Sequence, residues 1–195
     1  MARPASRRLF LLAGVAVGAV LVVGFGYVEA VRPVSIGNAW AVVGKEAEVG
    51  SFEGRRTYDS AFVPEQSGIR FALDLRNVSV LPFTIRLTDP GVDTPGHLDR
   101  LVELRVDPPG SNEGSTTTES TVPADVIELP AGGERWVVFV GLFASCAEAA
   151  SWSPGSSEVR RSVFLEARSL GLARSIELEL PFDLQVGAPP TSVCP

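Results

Sequence analysis

The chain has 195 residues, and 23 Asp and Glu against 17 Lys and Arg give it a net charge of −6 at pH 7. From residue 30 onward, 22 acidic and 14 basic residues leave a net charge of −8. Because such an excess repels phosphate groups, the composition argues against nucleic acid as a partner. The roughly 165 residues from there to the end suit one domain with a single core.

The first element is a run without charge, residues 9–28, which follows Arg3, Arg7 and Arg8. A helix of about 20 residues spans about 30 Å, the thickness of the hydrocarbon core of a bilayer. A basic flank tends to stay in the cytoplasm. We therefore predict a cytoplasmic N-terminus at residues 1–8, a single-pass transmembrane signal anchor at residues 9–28 and an extracytoplasmic domain at residues 29–195 of a plasma-membrane protein.

An alternative is that this segment is a signal that is cut off. Val28, Glu29 and Ala30 could form a cleavage site, which usually has small residues at its −3 and −1 positions. Cleavage after Ala30 would release an envelope or secreted ligand-binding protein. The length of the run and an interfacial aromatic, Tyr27, favour the retained anchor.

The domain reads as β-strands, since apolar and polar residues alternate in most of its segments. Residues 136–143 are instead apolar on both faces, which is typical of a central strand. Pro181 interrupts the last alternating segment and predicts an edge strand or a bulge. We predict an all-β, immunoglobulin-like antiparallel β-sandwich of about seven strands, with a small barrel as the alternative. The predicted strands are residues 34–43, 69–76, 83–88, 102–107, 136–143, 162–168 and 176–186.

The only two cysteines, Cys146 and Cys194, both follow the apolar run. In an oxidising compartment such a pair most simply forms a disulfide. The alternative is a pair of reactive or metal-binding thiols. The chain has no C-x-x-C motif and its only histidine, His97, is distant in sequence, so we favour the disulfide.

No catalytic motif is present. The chain lacks G-x-S-x-G, a phosphate-binding glycine-rich loop and paired histidines. Asp89, Asp93, His97 and Asp99 could offer ligands to a metal such as calcium, but their spacing matches no calcium loop, and Asp, Pro and Gly also build ordinary turns. We expect neither an enzyme nor a cofactor, and prefer a turn to a metal site here. Asn77, Val78 and Ser79 form a glycosylation sequon, although Asn77 suits a turn equally well.

Three long connections, residues 44–67, 108–125 and 148–161, separate the predicted strands. Loops of this length are often functional, and Trp, Tyr and Arg dominate binding energy at interfaces. The candidate contacts to a protein partner in the cell envelope are Arg55, Arg56, Tyr58, Trp152, Arg160 and Arg161. The alternative is that Tyr58 and Trp152 fold back to cover the core.

The chain resembles a known group of proteins in the order of its segments, which are a basic N-terminus, one apolar segment and three later stretches. These stretches are LRNVSVLPFTIRL, LPAGGERWVVFVGLFASC and LGLARSIELELPF. The chain resembles membrane-anchored proteins of actinobacteria in which an immunoglobulin-like domain follows a signal anchor. The resemblance implies that fold and an extracytoplasmic location, and it supplies no catalytic residues. A non-enzymatic binding or assembly module is the function we expect.

Overall fold

Eleven β-strands and one short helix form the part of the domain that the computed structural model describes. The structure describes residues 14, 15, 17, 18, 33–42, 47–52, 54–60, 62–65, 67–88, 98–107, 121–189 and 192–194. The strands are β1 (Val34–Val42), β2 (Ala47–Phe52), β3 (Arg55–Ser60), β4 (Ser67–Asn77), β5 (Phe83–Leu87), β6 (Asp99–Val106), β7 (Val122–Pro123), β8 (Ile127–Leu129), β9 (Glu134–Phe143), β10 (Ser157–Ser169) and β11 (Leu172–Gly187), and the helix is α1 (Cys146–Ala149).

The strands form two sheets. One has the order β1-β4-β9-β6-β7 and the other β2-β3-β11-β10-β5-β8. Immunoglobulin domains place strands A, B, E and D in one sheet and C, F and G in the other. With β1, β4, β5, β6, β9, β10 and β11 as A to G in chain order, the two sheets reproduce that arrangement. The prediction of an all-β, immunoglobulin-like sandwich is confirmed.

The seven predicted strands are these seven, and the structure adds four more. β2 and β3 lie inside the connection 44–67, which we expected to be a loop, and β3 pairs in parallel with β11. The sequence of β3, RRTYDS, has no apolar alternation that could have indicated a strand. β7 and β8 have two and three residues, too few for a periodic pattern. These four strands form by pairing with other segments of the fold, and no pattern in their own sequence indicates them.

The core lies between the sheets and is rich in phenylalanine. Phe71 of β4 and Phe139 of β9 stack with ring centroids 4.9 Å apart, and Phe182 of β11 meets Phe71 edge-on at 5.7 Å. All three rings are fully buried. The first contact lies within one sheet and the second joins the two sheets. Because aromatic side chains bury large areas, these contacts are a main source of stability.

The strand β9 is the centre of its sheet, between β4 and β6. Val137 and Phe139 face the main core, while Val138 and Val140 are buried on the other face with Ala72, where Trp136 packs against them. The prediction that residues 136–143 form a central strand is confirmed.

Pro181 lies in a bulge of β11. Arg160 of β10 pairs with Leu184, and Ser162 pairs with Glu179, so five steps along β11 match two along β10. Proline cannot donate to a sheet ladder and is tolerated at such an irregularity. Of the two predicted positions for Pro181, the structure has the bulge.

The chain divides into two units, Met1–Pro33 and Val34–Pro195. In the first unit, Gly14, Val15, Val17 and Gly18 are helical. No helix among the described residues is long and apolar enough to span a bilayer. The rest of the predicted anchor and the cleavage site after Ala30 lie outside the described residues.

Candidate partner-binding surface

Arg55, the first residue of β3, is bound to the bulge in β11. Its Nε donates to Asp183 Oδ1 at 2.7 Å and its Nη1 to Glu179 Oε1 at 3.0 Å. Its Nη2 donates to the main-chain oxygens of Leu180 and, at 3.2 Å, Phe182. Bulges take main-chain groups out of the sheet ladder. Arg55 therefore supplies hydrogen bonds that stabilise this bulge, which is a structural task.

Asp183 joins two of the predicted contact residues. Its side chain is only 3% exposed, and its second oxygen lies 3.3 Å from Nη2 of Arg161. Arg55 and Arg161 come from different predicted loops, and one buried carboxylate brings them together. An unbroken apolar–polar alternation over residues 176–186 would place Asp183 on the solvent face of its strand. The nearby Pro181 was the available signal that the alternation fails there.

The opposite side of β3 carries Arg56 and Tyr58, which contact Trp40 of β1. The Arg56 guanidinium carbon lies 5.9 Å from the Trp40 ring centroid, within the range of a cation–π interaction. Trp40 lies 4.7 Å from Phe182 and 6.1 Å from Tyr58, between ring centroids. Both Trp40 and Tyr58 are half-buried and Arg56 is exposed. We call Trp40, Arg56 and Tyr58 the β1–β3 surface.

Arg160 connects the two sheets. Its Nε donates to Asp99 Oδ2 at 3.0 Å, and the side chains of Arg160 and Asp99 are 10% and 1% exposed. Glu158, two residues before Arg160 in β10, accepts a hydrogen bond from the amide of Leu98 at 2.6 Å. Arg160 thus stabilises the contact between the sheets, whereas the side chain of the adjacent Arg161 is 54% exposed.

Trp152 follows α1 and packs half-buried against the main core. Its amide donates to the carbonyl of Ala149 at 3.0 Å. Both Trp152 and Tyr58 pack against the core and remain partly exposed, so the alternative in which they cover the core holds in part. Trp152 and Arg160 are held at other positions than the β1–β3 surface, so the six predicted residues do not form one site.

The helix α1 begins with a capping box. Ser145 Oγ accepts from the Glu148 amide at 3.3 Å, and the Glu148 carboxylate accepts from the Ser145 amide at 2.8 Å. The hydroxyl of Ser145 also donates to the Glu148 carboxylate at 2.8 Å. The hydrogen bonds from the Ser145 amide and hydroxyl to the charged carboxylate lower the pKa of Glu148. Cys146, the first residue of α1, is bonded to Cys194 with the Cα atoms 5.2 Å apart, as predicted.

The region around Asp89, Asp93 and His97 lies outside the described residues. Asp99 is among the described residues and forms an ion pair with Arg160. The described part of the chain holds no group of three or more His, Cys, Asp or Glu side chains that could bind a metal ion.

Asn77 organises the turns at one end of the sandwich. Its side chain is fully buried, and Nδ2 donates to the carbonyls of Leu81, Leu129 and Pro130 at 2.7 to 3.1 Å. Its Oδ1 accepts from the amide of Ser79 at 2.9 Å. Because this nitrogen is buried and donates to three carbonyls, a glycan cannot be attached to it in the folded protein. Asn77 therefore acts as a turn residue.

No family model matches the chain, and no curated protein matches it. Among solved structures, it is similar to the ASH/PapD-like domain 7 of human CEP192, with 10% identity over 76% of this chain and 84% of that one, at a TM-score of 0.31. It is also similar to a family 123 glycoside hydrolase from Clostridium perfringens, with 9% identity over 68% of this chain and 23% of that one, at a TM-score of 0.30. Likeness at this level carries no argument about activity.

Proposed function

We propose that the chain is a non-enzymatic binding or assembly module, anchored in the plasma membrane by residues 9–28, whose extracytoplasmic sandwich contacts another protein of the cell envelope. The β1–β3 surface is the contact region. The observation that carries this proposal is Arg56 lying over the half-exposed ring of Trp40 beside Tyr58.

The chemistry of this surface supports a protein partner. Trp, Tyr and Arg are the residue types that contribute most at interfaces, because each buries a large area and can also form hydrogen bonds. Trp40 and Tyr58 are held in place by Phe182 beneath them. A partner would then bind side chains that are already ordered, which reduces the entropic cost of association.

The test is co-purification from gently solubilised membranes. Arg56→Glu should abolish capture of the partner while the circular dichroism spectrum and melting temperature stay unchanged. Arg86→Glu is the matched control, since Arg86 is exposed on β5 and undergoes the same change of charge. Equal capture by both variants would contradict the proposal.

Arg55 is unsuitable for this test. Its substitution would leave the buried Asp183 with a weakened set of partners, and loss of binding could then reflect loss of fold. Trp152 and Arg160 are unsuitable for the same reason, since both contribute to packing or to the contact between sheets.

The membrane location has its own test. A retained anchor keeps the protein in the membrane pellet after carbonate washing, because a transmembrane helix is not released by high pH or salt. A mature N-terminus at Val31 would instead show cleavage after Ala30 and favour the released ligand-binding protein.

A further inference from the structure

One end of the sandwich exposes aliphatic side chains. Of the large hydrophobic residues described from Val34 onward, four are the most exposed: Val80 at 86%, Leu170 at 80%, Leu172 at 54% and Val78 at 48%. Each belongs to the β4–β5 turn or the β10–β11 hairpin. Single exposed aliphatic residues are ordinary, but a group of them marks an interaction surface.

Strand pairing places these residues together. Asn77 pairs with Val34, Ser169 pairs with Leu172, and the hydroxyl of Ser169 donates to the carbonyl of Pro82 at 2.9 Å. The amide of Asn77 also donates to the carbonyl of Gly133 in the β8–β9 turn at 2.9 Å. The β4–β5 turn, the β8–β9 turn and the β10–β11 turn therefore share one end of the sandwich, the end at which β1 begins. We call Val78, Val80, Leu170 and Leu172 the apolar tips.

Leu170 occupies a position that its residue type does not favour. Its φ is +50° and that of Gly171 is +80°, as in the two-residue hairpin turns that prefer Asn-Gly. Leucine in a left-handed conformation costs free energy, and at 80% exposure this side chain regains little of it by packing. A strained and exposed leucine points to a contact outside the domain.

The charges at this end suit a lipid surface. The three turns, residues 77–82, 130–133 and 169–173, contain no charged residue in a chain that is 21% charged. Within two positions of the turns lie four arginines, one on each of four strands, and two glutamates: Arg76, Arg135, Arg168, Arg174, Glu128 and Glu134. Glu134 pairs with Arg76 at 3.2 Å, and the cations remain in excess. Aliphatic tips bordered by long cationic side chains match the boundary between acyl chains and phosphate groups.

The short length of chain before β1 indicates what the apolar tips contact. Only residues 29–33 separate the proposed anchor from Val34, and five residues extend at most about 20 Å. A bilayer that holds residues 9–28 would thus stay within reach of the end that carries the apolar tips. We propose that the apolar tips insert into the headgroup–acyl boundary of the phospholipid bilayer and so hold the sandwich against its own membrane. This inference rests on the anchor in the proposed function.

The test uses the full-length protein in phosphatidylcholine–phosphatidylglycerol vesicles. Both native cysteines are in the disulfide, so Leu170→Cys offers one free thiol for a polarity-sensitive fluorophore. Val63→Cys is the matched control, because Val63 is also an exposed aliphatic residue but follows β3, whose last residue pairs with Val186 near the opposite end. We expect a blue-shifted emission and quenching by shallow spin-labelled lipid at position 170, and neither at position 63.

A label on Val80→Cys should behave like the label at position 170, and adding Leu170→Asn with Leu172→Ser should reduce its quenching by lipid. Asn-Gly suits this hairpin turn, so the fold should persist in that variant. Equal, water-like emission at positions 170 and 63 would overturn the insertion. A blue shift without lipid quenching would indicate a second copy or another protein and would overturn it as well.

Flotation of the vesicles separates the two proposals. A chain that floats with the vesicles after a carbonate wash, but whose label at position 170 stays in water, would retain the anchor and lose the insertion. A chain that does not float would overturn both.

Discussion

The two ends of the sandwich are held in different ways. At the end where β1 begins, tight turns meet and Asn77 donates to three of their carbonyls. At the opposite end, a disulfide joins α1 to the C-terminal tail and the Arg160–Asp99 ion pair joins the sheets. Short turns need only local hydrogen bonds, whereas longer connections have more entropy to lose and gain most from a covalent cross-link.

Breaking the cross-link should have the largest effect. Cys194→Ser opens a loop that spans 48 positions, and we expect a loss of about 4 kcal/mol in the free energy of unfolding. In a domain of this size that lowers the melting temperature by about 10 °C. Thermal unfolding followed by circular dichroism measures it, with Ser192→Ala as the neutral neighbour. Labelling of both cysteines in the native protein by a thiol reagent would contradict the bridge.

The ion pair between the sheets should come next. Arg160→Ala leaves Asp99, which is 1% exposed, without this guanidinium, and we expect a loss of about 3 kcal/mol. The adjacent Arg161 is the matched control. It is 54% exposed, and its partner Asp183 keeps the closer ion pair with Arg55 at 2.7 Å, so Arg161→Ala should cost less than about 1 kcal/mol. Urea denaturation measures both. Similar losses for the two variants would show that Arg160 does not hold the sheets together.

At the other end, Asn77→Ala removes a buried amide that donates to three carbonyls and accepts from the Ser79 amide, and we expect a loss of about 2–3 kcal/mol. Ser79→Ala, which alters the same turn through a hydroxyl alone, should cost less than half of that. Hydrogen exchange should also rise in the β4–β5 and β8–β9 turns of the Asn77 variant while the region of α1 is unchanged. Exchange that rises equally at both ends would contradict the separation of the two networks.

Two carboxyl groups should give the smallest effects, with opposite dependence on pH. Burial, followed by repulsion from Glu134, raises the pKa of Asp74, whereas hydrogen bonds from Ser145 lower the pKa of Glu148. The folded state therefore binds the Asp74 proton more tightly than the unfolded state does and the Glu148 proton less tightly.

Asp74→Asn should accordingly stabilise the protein near neutral pH, and this gain should vanish as the pH falls below the ordinary value of 3.8. Glu148→Gln should slightly destabilise it at pH 7, and this loss should vanish as the pH falls through the lowered pKa of Glu148. Urea midpoints between pH 3 and pH 7 measure both. Parallel pH profiles for the two variants would contradict the assigned causes.

The sequence predicted the seven main strands because apolar alternation reports which face of a strand is buried, as at Ile176, Leu178 and Leu180. It also predicted the pairing of Cys146 with Cys194, since only one pair is possible. The candidate contacts were predicted by residue type alone. That criterion includes Arg56 and Tyr58, which lie beside Trp40, but it cannot separate the buried Arg160 from the exposed Arg161, because these two neighbours in sequence have the same chemistry.

What the sequence by itself determined is therefore the period of each strand, the number of main strands and the disulfide, all of which depend on local order or on composition. The tertiary structure decided the parallel pairing of β3 with β11, the roles of Arg55 and Asp183 at the bulge and the burial of Asn77. It also brought Val80 and Leu170 to one end, although 89 residues lie between them. These features depend on which strands become neighbours, and contacts between distant segments leave no periodic trace in the chain.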